Sequence, residues 1–251
     1  MKTVQKALDI LDLFAKSDRE LGVTEIANHL GFHKSTTHAL LATLKRSGYV
    51  IVNPETKKYS LGFKTLELAD HIAYQRDLRE LCLPVMRELA SEVQEDISLS
   101  IRSELSRICI AIARGTQYVR LNITLGMAVP VHCGAAGKCL LAFLEKSAVQ
   151  RLLEKIEFIR FTPQSISNKK QLIAELSKIQ RQGYAESREE FFKDAAALSF
   201  PLFAAGGRIL AVYSIHSTVN RLNELTRGGF VAAGMDAAKR TNSILKSLRQ
   251  Y

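Results

Sequence analysis

The chain has 251 residues, of which 47% are hydrophobic and 24% charged, the make-up of a folded globular protein of one large or two small domains. Its apolar runs are broken by charge short of the roughly 18–20 residues a membrane span needs. The opening MKTVQKALDILDLF alternates charge where a signal peptide has a basic head and an apolar core, so a mature cytoplasmic chain with no membrane partner is expected. A formal net charge of +10 points to a polyanionic partner and makes nucleic acid the first candidate. Cys82, Cys109, Cys133 and Cys139 lack CxxC spacing and read as buried, reduced thiols rather than a disulfide framework or a structural zinc site.

In chain order, Val4, Ala7, Leu8, Leu11 and Phe14 recur at spacings of three and four, which predicts an amphipathic helix over residues 3–16 with Thr3 as its N-cap. VTEIANHLG predicts a short second helix stopped by Gly31, and HKSTTHALLATLKRSG a third stopped by Gly48. Two short helices joined at Gly31–Phe32 have the spacing of a helix-turn-helix, with the small Ala27 at the crossing and Thr37 and Leu40 facing inward. His33, Lys34, Ser35, Thr36, His38 and Ala39 are left on the outer face. YVIVN, PETKK and YSLG then read as a hairpin with a basic tip, a wing. Residues 31–62 carry Lys34, Lys45, Arg46, Lys57 and Lys58 against Glu55 alone, which puts positive charge where phosphates would lie. The expected partner is double-stranded DNA, with Lys34, Ser35 and His38 on bases and Thr36, Lys45, Arg46, Lys57 and Lys58 on phosphates. The bland alternative is a small packed unit whose charges are solvated.

Helical periodicity through FKTLELADHIAYQRDLRELCLPVMRELASEV, interrupted at Pro84, predicts a linker helix over residues 63–76 leading into a second domain over 77–251. ISLSIRS, RICIAIA and YVRLNIT follow as predicted strands. A helix is expected from Gly134 to about Glu154, another over NKKQLIAELSKIQRQG, and a hairpin over ALSFPLFAAGGRILAVYSIHS that turns at Gly206–Gly207. The last helix is expected from about Leu225 almost to Tyr251. This order implies an α+β fold with one central antiparallel sheet and helices packed on its faces.

The stretch HCGAAGKCLLAFLEK invites three chemical readings. It is not a phosphate-binding P-loop, because His132 stands where the first glycine is required and Cys139 follows Lys138 in place of Ser or Thr. A cysteine enzyme would pair Cys133 or Cys139 with His132 or His216, yet no third orienting group is evident and apolar surroundings would raise the thiol pKa, so no enzyme is expected. A metal- or redox-responsive regulator would gather His132, Cys133 and His216, but two adjacent ligands plus one distant residue do not match a structural zinc pattern. No metal or cofactor is therefore expected. What remains is a helix N-terminus with nothing in front of it, open for a small anion to dock against backbone N–H groups.

Taken together and in order, TVQKALDILDLF, TEIANHLGFHKSTTHALLATLKRSGYV, YSLG, VPVHCGAAGKCLLAFL, RFTPQSI, ELSKIQRQGYAES, REE and FPLFAAGGRILAVYSIHS resemble the IclR family of bacterial transcriptional regulators over nearly the whole chain. The resemblance implies a winged helix-turn-helix over residues 1–62, a linker helix over 63–76 and a GAF-like effector-binding domain over 77–251. It further implies an operator-binding regulator, dimeric or tetrameric, whose DNA affinity is modulated by a small organic or aromatic acid. The family's effector positions fall on Leu121, Ala135, Ala136, Ser187, Ala197, Ser214 and His216, with Ser187 and Ala197 expected on the loop after Gly183. Ser214 and His216 are two apart and would project from one face of a strand. His216 stands where relatives often carry a smaller polar residue, and is expected either to add a charge-assisted hydrogen bond to an acid or to be satisfied by neighbouring backbone. Two positions depart from the family's pattern. Ala39 replaces a usual arginine on the outer helix face, and Asp194 stands where relatives often have glycine, so the loop beside the pocket is expected to be shaped differently.

Overall fold

The computed structural model describes residues 2–70 and 73–247 and divides into two compact units, Met1–Arg76 and Asp77–Tyr251. In the first, α1 (Lys2–Ala15), α2 (Val23–Leu30) and α3 (Lys34–Arg46) close around Ile10, Phe14, Leu21, Ile26, Leu40, Leu41, Leu44 and Val50. The buried line of α1 runs through Ile10 and Phe14, one turn apart, and leaves Val4 and Leu8 of the expected stripe exposed. Gly31 takes φ 66°, a left-handed conformation that only glycine adopts freely. Its N–H and that of Phe32 turn back onto the carbonyls of the last turn of α2, which aims the chain into α3. Ala27 is buried at the crossing, and Thr37 is fully buried with its hydroxyl donating to the His33 carbonyl at 3.2 Å. Strands β1 (Val50–Val52) and β2 (Tyr59–Leu61) pair antiparallel as the wing, and Leu21 adds a bridge to Tyr59.

Within the expected linker, α4 spans Lys64–Asp70 and α5 (Ala73–Val93) begins at its end; positions 71 and 72 lie outside the described residues. Pro84 does not interrupt α5 as expected. The ring removes a backbone donor, but burial of Leu78, Cys82, Val85, Met86 and Leu89 holds the helix through it.

The second unit is built on a six-stranded antiparallel sheet. Its strands are β3 (Asp96–Ser103), β4 (Ser106–Ala113), β5 (Ala128–Pro130), β6 (Ala185–Arg188), β7 (Ala195–Phe203) and β8 (Ile209–Thr218), in the order β5-β4-β3-β8-β7-β6. One face, with Ile97, Leu99, Leu198, Phe200, Tyr213 and Ile215, packs on α5 and α9 (Glu224–Ser247). The Tyr213 hydroxyl binds the two helices to the sheet, donating to the Cys82 carbonyl at 3.4 Å and lying 2.8 Å from Thr241 Oγ1. The other face carries α6 (Gly134–Ala142), α7 (Lys146–Leu153) and α8 (Lys169–Gln182) over a second apolar cluster.

Three further expectations change. YVRLNIT is not a strand: Tyr118 and Val119 are exposed, Arg120 folds back onto the Gln117 and Gly115 carbonyls, and β5 takes the edge of β4. The helix from Gly134 is two helices, because α6 ends at Phe143 and Glu145 is extended before α7. AESR, expected as loop, is β6, whose Ser187 pairs with Ala197 of β7. The last helix is described to Ser247, and residues 248–251 lie outside the described residues.

Candidate functional sites

On the first unit, Lys34, Ser35 and His38 are exposed along the start of α3, with Lys45 and Arg46 exposed at its end and Lys57 at the hairpin tip. Thr36 and Lys58 are half-buried. Lys58 leans toward the start of α2, its ammonium 3.8 Å from a Glu25 carboxylate that already accepts from Arg19 at 2.8 Å. Glu25 also accepts from the Gly22 N–H, and these bonds hold its carboxyl down at about 2. Ala39 is exposed and leaves His38 as the longest side chain at the centre of this face.

The second unit contains a cavity under the start of α6, with about 480 Å³ of empty space including its open mouth. Its floor is a single cross-strand row, because Ser187 pairs with Ala197 and Ala197 with His216, and directly opposed residues share a face. Ala135 and Ala136 form the roof, Leu121 approaches from the segment after β4, and Phe191 and Phe192 come from the β6–β7 connection. Six of the seven positions expected from the resemblance thus meet around one space. Ser214 does not: it lies one row further under α6, paired with Ser199 and Ser98, fully buried, with its hydroxyl 2.8 Å from Ser199 Oγ. Ser187 and Ala197 are strand residues and not the loop positions expected. Asp194 takes φ 60°, a conformation open to glycine and tolerated by Asp, so the departure from glycine does not bar that backbone shape.

The first N–H of α6 is not free. Glu190 Oε2 accepts from the Gly134 N–H at 2.9 Å, so a carboxylate of the chain itself occupies the N-terminal end. Its other oxygen lies 2.5 Å from Lys138 Nζ, which is 1% exposed and also donates to the Glu186 carbonyl at 2.9 Å and to Glu175 at 3.3 Å. The anion that suits a helix dipole is therefore already in place.

His216 is buried, with Nε2 2.7 Å from Ser98 Oγ, and burial followed by the charges of Arg107 and Arg114 pushes its pKa down to about 3. It is neutral at physiological pH, so a bond from it to an acid would come from a neutral ring N–H, with the charge on the acceptor alone. The unfolded chain would protonate this histidine near 6.5, and stability contributed by the neutral ring is complete above that pH and lost as pH falls toward 3. Urea unfolding between pH 4 and 6 is expected to weaken with acid by about 1.4 kcal/mol per pH unit more in wild type than in His216→Gln. Equal slopes would contradict this.

His132 and Cys133 turn to other partners. His132 Nε2 is 3.1 Å from the Ile159 carbonyl oxygen, and the Cys133 thiol donates to the Glu190 carbonyl at 3.2 Å. Burial and then Glu190 push the Cys133 thiol up to about 12, and burial raises Cys139 as well. Among the described residues no group of three His, Cys, Asp or Glu side chains could hold a metal ion, and no helix is long and apolar enough to cross a membrane.

Sequence reasoning missed Arg107 on β4, which is 7% exposed, lines the cavity and has Nη1 buried without an acceptor. The signal was present in SRICIAIA, where the arginine sits in the same alternate row as Cys109 on a strand that is apolar on both faces. Glu190, part of the REE segment, was also missed as the group that caps α6.

Residues 71–242 match the family model described as "Bacterial transcriptional regulator IclR C-terminal", and residues 3–54 match the "IclR helix-turn-helix domain". The chain is 30% identical over 230 residues to the HTH-type transcriptional regulator XynR of Escherichia coli (strain K12), covering 92% of this chain and 91% of that protein. The crystal structure of the Thermotoga maritima IclR superposes with a TM-score of 0.82 at 25% identity, over 98% of this chain and 99% of that one. An IclR homologue from Microbacterium hydrocarbonoxydans, solved in complex with 4-hydroxybenzoate, shares the fold with a TM-score of 0.80 at 20% identity, over 98% of this chain and 100% of that one. The chain belongs to the IclR family of bacterial transcriptional regulators, with a helix-turn-helix DNA-binding domain followed by a C-terminal effector-binding domain.

Proposed function

We propose that this regulator reads operator DNA with the start of α3, steadies itself on phosphates with Lys45, Arg46 and the wing, and responds to a small organic acid bound in the cavity under α6. The observation that carries the acid is a small apolar cavity into which a buried cationic side chain opens. The homologue that holds 4-hydroxybenzoate supports the same class of ligand. Ligand in the cavity favours one of two arrangements of the effector domain, and the change in operator affinity follows from that difference. The regulator works in the cytoplasm as a homodimer or a dimer of dimers. Exposed apolar side chains at Phe63, Leu66 and Leu68 support self-association through the region around α4.

Selection of bound sequences from a random duplex library by the full-length chain tests this. An enriched inverted repeat is expected, since a two-fold dimer presents two recognition helices to two half-sites. On the selected duplex, Lys34→Ala or His38→Ala should cost about 1–3 kcal/mol and relax discrimination at one position. Lys57→Ala should instead weaken all duplexes alike and lower the salt slope by about one. Failure to enrich any sequence at about 0.1 M salt would overturn the reading.

A further inference from the structure

Every other arginine of the second unit that reaches a buried or half-buried carboxylate is neutralised by it. Arg221 lies 2.6 Å from Glu95, Arg114 2.7 Å from Asp96, and Arg227 2.8 Å from Glu186. Arg107 is more buried than any of them and, among the described residues, forms no ion pair or side-chain hydrogen bond. The ionisable groups acting on it are the Cys109 and Cys133 thiols, and burial keeps both protonated, so neither supplies a counter-charge. The one carboxylate in the cavity wall, Glu190, is committed with one oxygen on Lys138 and the other on the Gly134 N–H. Around Arg107 the wall is otherwise apolar or neutral, with Leu121, Ile123, Phe191 and the uncharged His216.

A guanidinium removed from water without an anion is unfavourable, and a carboxylate that reaches it forms two parallel charge-assisted hydrogen bonds in a fixed plane. We propose that Arg107 is the carboxylate receptor of this cavity and selects small monocarboxylates with an apolar body, in place of the Gly134 N–H that Glu190 already takes. This rests on the reading of the cavity as the effector site. It adds the ligand's charge, the atom that receives it and a specificity residue drawn from the strand. The ligand's single negative charge completes Arg107 and its ring or alkyl part lies against Leu121, Ile123 and Phe191. A dianion would bring a second charge into a wall that offers it no second cation.

Calorimetric titration and thermal denaturation of the full chain test this with benzoate, 4-hydroxybenzoate, phenylacetate and pyruvate as probes, each beside its neutral amide. At least one acid is expected to bind wild type while its amide does not. Arg107→Met should weaken that acid about 30-fold or more, and Arg107→Lys, which keeps the charge and loses the fork, about tenfold. A second readout needs no ligand: ligand-free Arg107→Met should melt about 2–4 °C above wild type, since an uncompensated buried charge has been removed. Equal acid affinity in wild type and Arg107→Met, or a lower melting temperature in the ligand-free variant, would overturn the role of Arg107 and leave the effector reading standing. Binding of acids and amides alike would do the same. If no probe binds wild type that still binds its selected duplex, the acid-effector reading itself fails.

Discussion

Lys138→Met is expected to lower the unfolding free energy by about 3–5 kcal/mol. Lys138 is 1% exposed, and its ammonium sits between Glu190 at 2.5 Å, Glu175 at 3.3 Å and the Glu186 carbonyl at 2.9 Å. Methionine fills the same volume and gives none of these groups a counter-charge, so Glu190 is left buried beside a second carboxylate. The double variant Lys138→Met/Glu190→Gln removes the stranded charge and should recover about 1–2 kcal/mol of that loss, a coupling expected of groups in one network. Chemical denaturation of the four proteins measures both quantities. A loss below about 1 kcal/mol in Lys138→Met would show that the pair is solvated and does not fix α6.

Gly137→Ala is expected to destabilise by about 3 kcal/mol, against the direction of helix propensity. A Cβ at this position would stand 2.4 Å from the Val131 carbonyl oxygen and 2.8 Å from Val131 Cα, both backbone atoms that cannot rotate away. Helix α6 would have to lift from the segment before it, carrying Ala135 and Ala136 out of the cavity roof, so ligand affinity should fall together with stability. Gly229 gives the contrast: it lies within α9, is exposed and has nothing within 4 Å of an added Cβ. Gly229→Ala should therefore stabilise by about 0.5–1 kcal/mol. Thermal and denaturant unfolding of the two variants, made in parallel, separates close approach from propensity; a stabilising Gly137→Ala would contradict the packing described.

Much of the first unit is legible from local sequence because its determinants are local. Gly31 makes the turn, Ala27 fits the crossing, and Thr37 and Leu40 fall on the inner face of α3, all within fourteen residues. The second unit is less legible, because its sheet is assembled from distant segments. The three residues of β5 and the four of β6 are too short to show a period, and they become strands only because β4 and β7 present free edges. YVRLNIT has strand-like alternation yet pairs with no strand, and the start of the β4 edge goes to β5.

The cavity divides along the same line. Ala135, Ala136, Ser187, Ala197 and His216 were placed by resemblance, and the row across β6, β7 and β8 explains why residues so far apart in sequence meet. Ser214 falls outside this lining because two residues along a strand is one whole row, enough to put it beneath the helix instead of in front of it. Arg107 and Glu190 were missed for opposite reasons. The first looks like a stray charge in an apolar strand, and the second like one more surface acid in a polar segment, until the fold buries one alone and seats the other on Gly134.

A small acid bound in the second unit is expected to alter how the first holds DNA. The direct measurement is the fluorescence anisotropy of the selected operator duplex titrated with the full chain, in the absence of ligand and at saturation with whichever probe acid binds wild type most tightly. The two dissociation constants are expected to differ by about 5–150-fold, the range of typical coupling between sites, and the difference to disappear in Arg107→Met at the same acid concentration. Superimposable curves for wild type with the acid bound would contradict it.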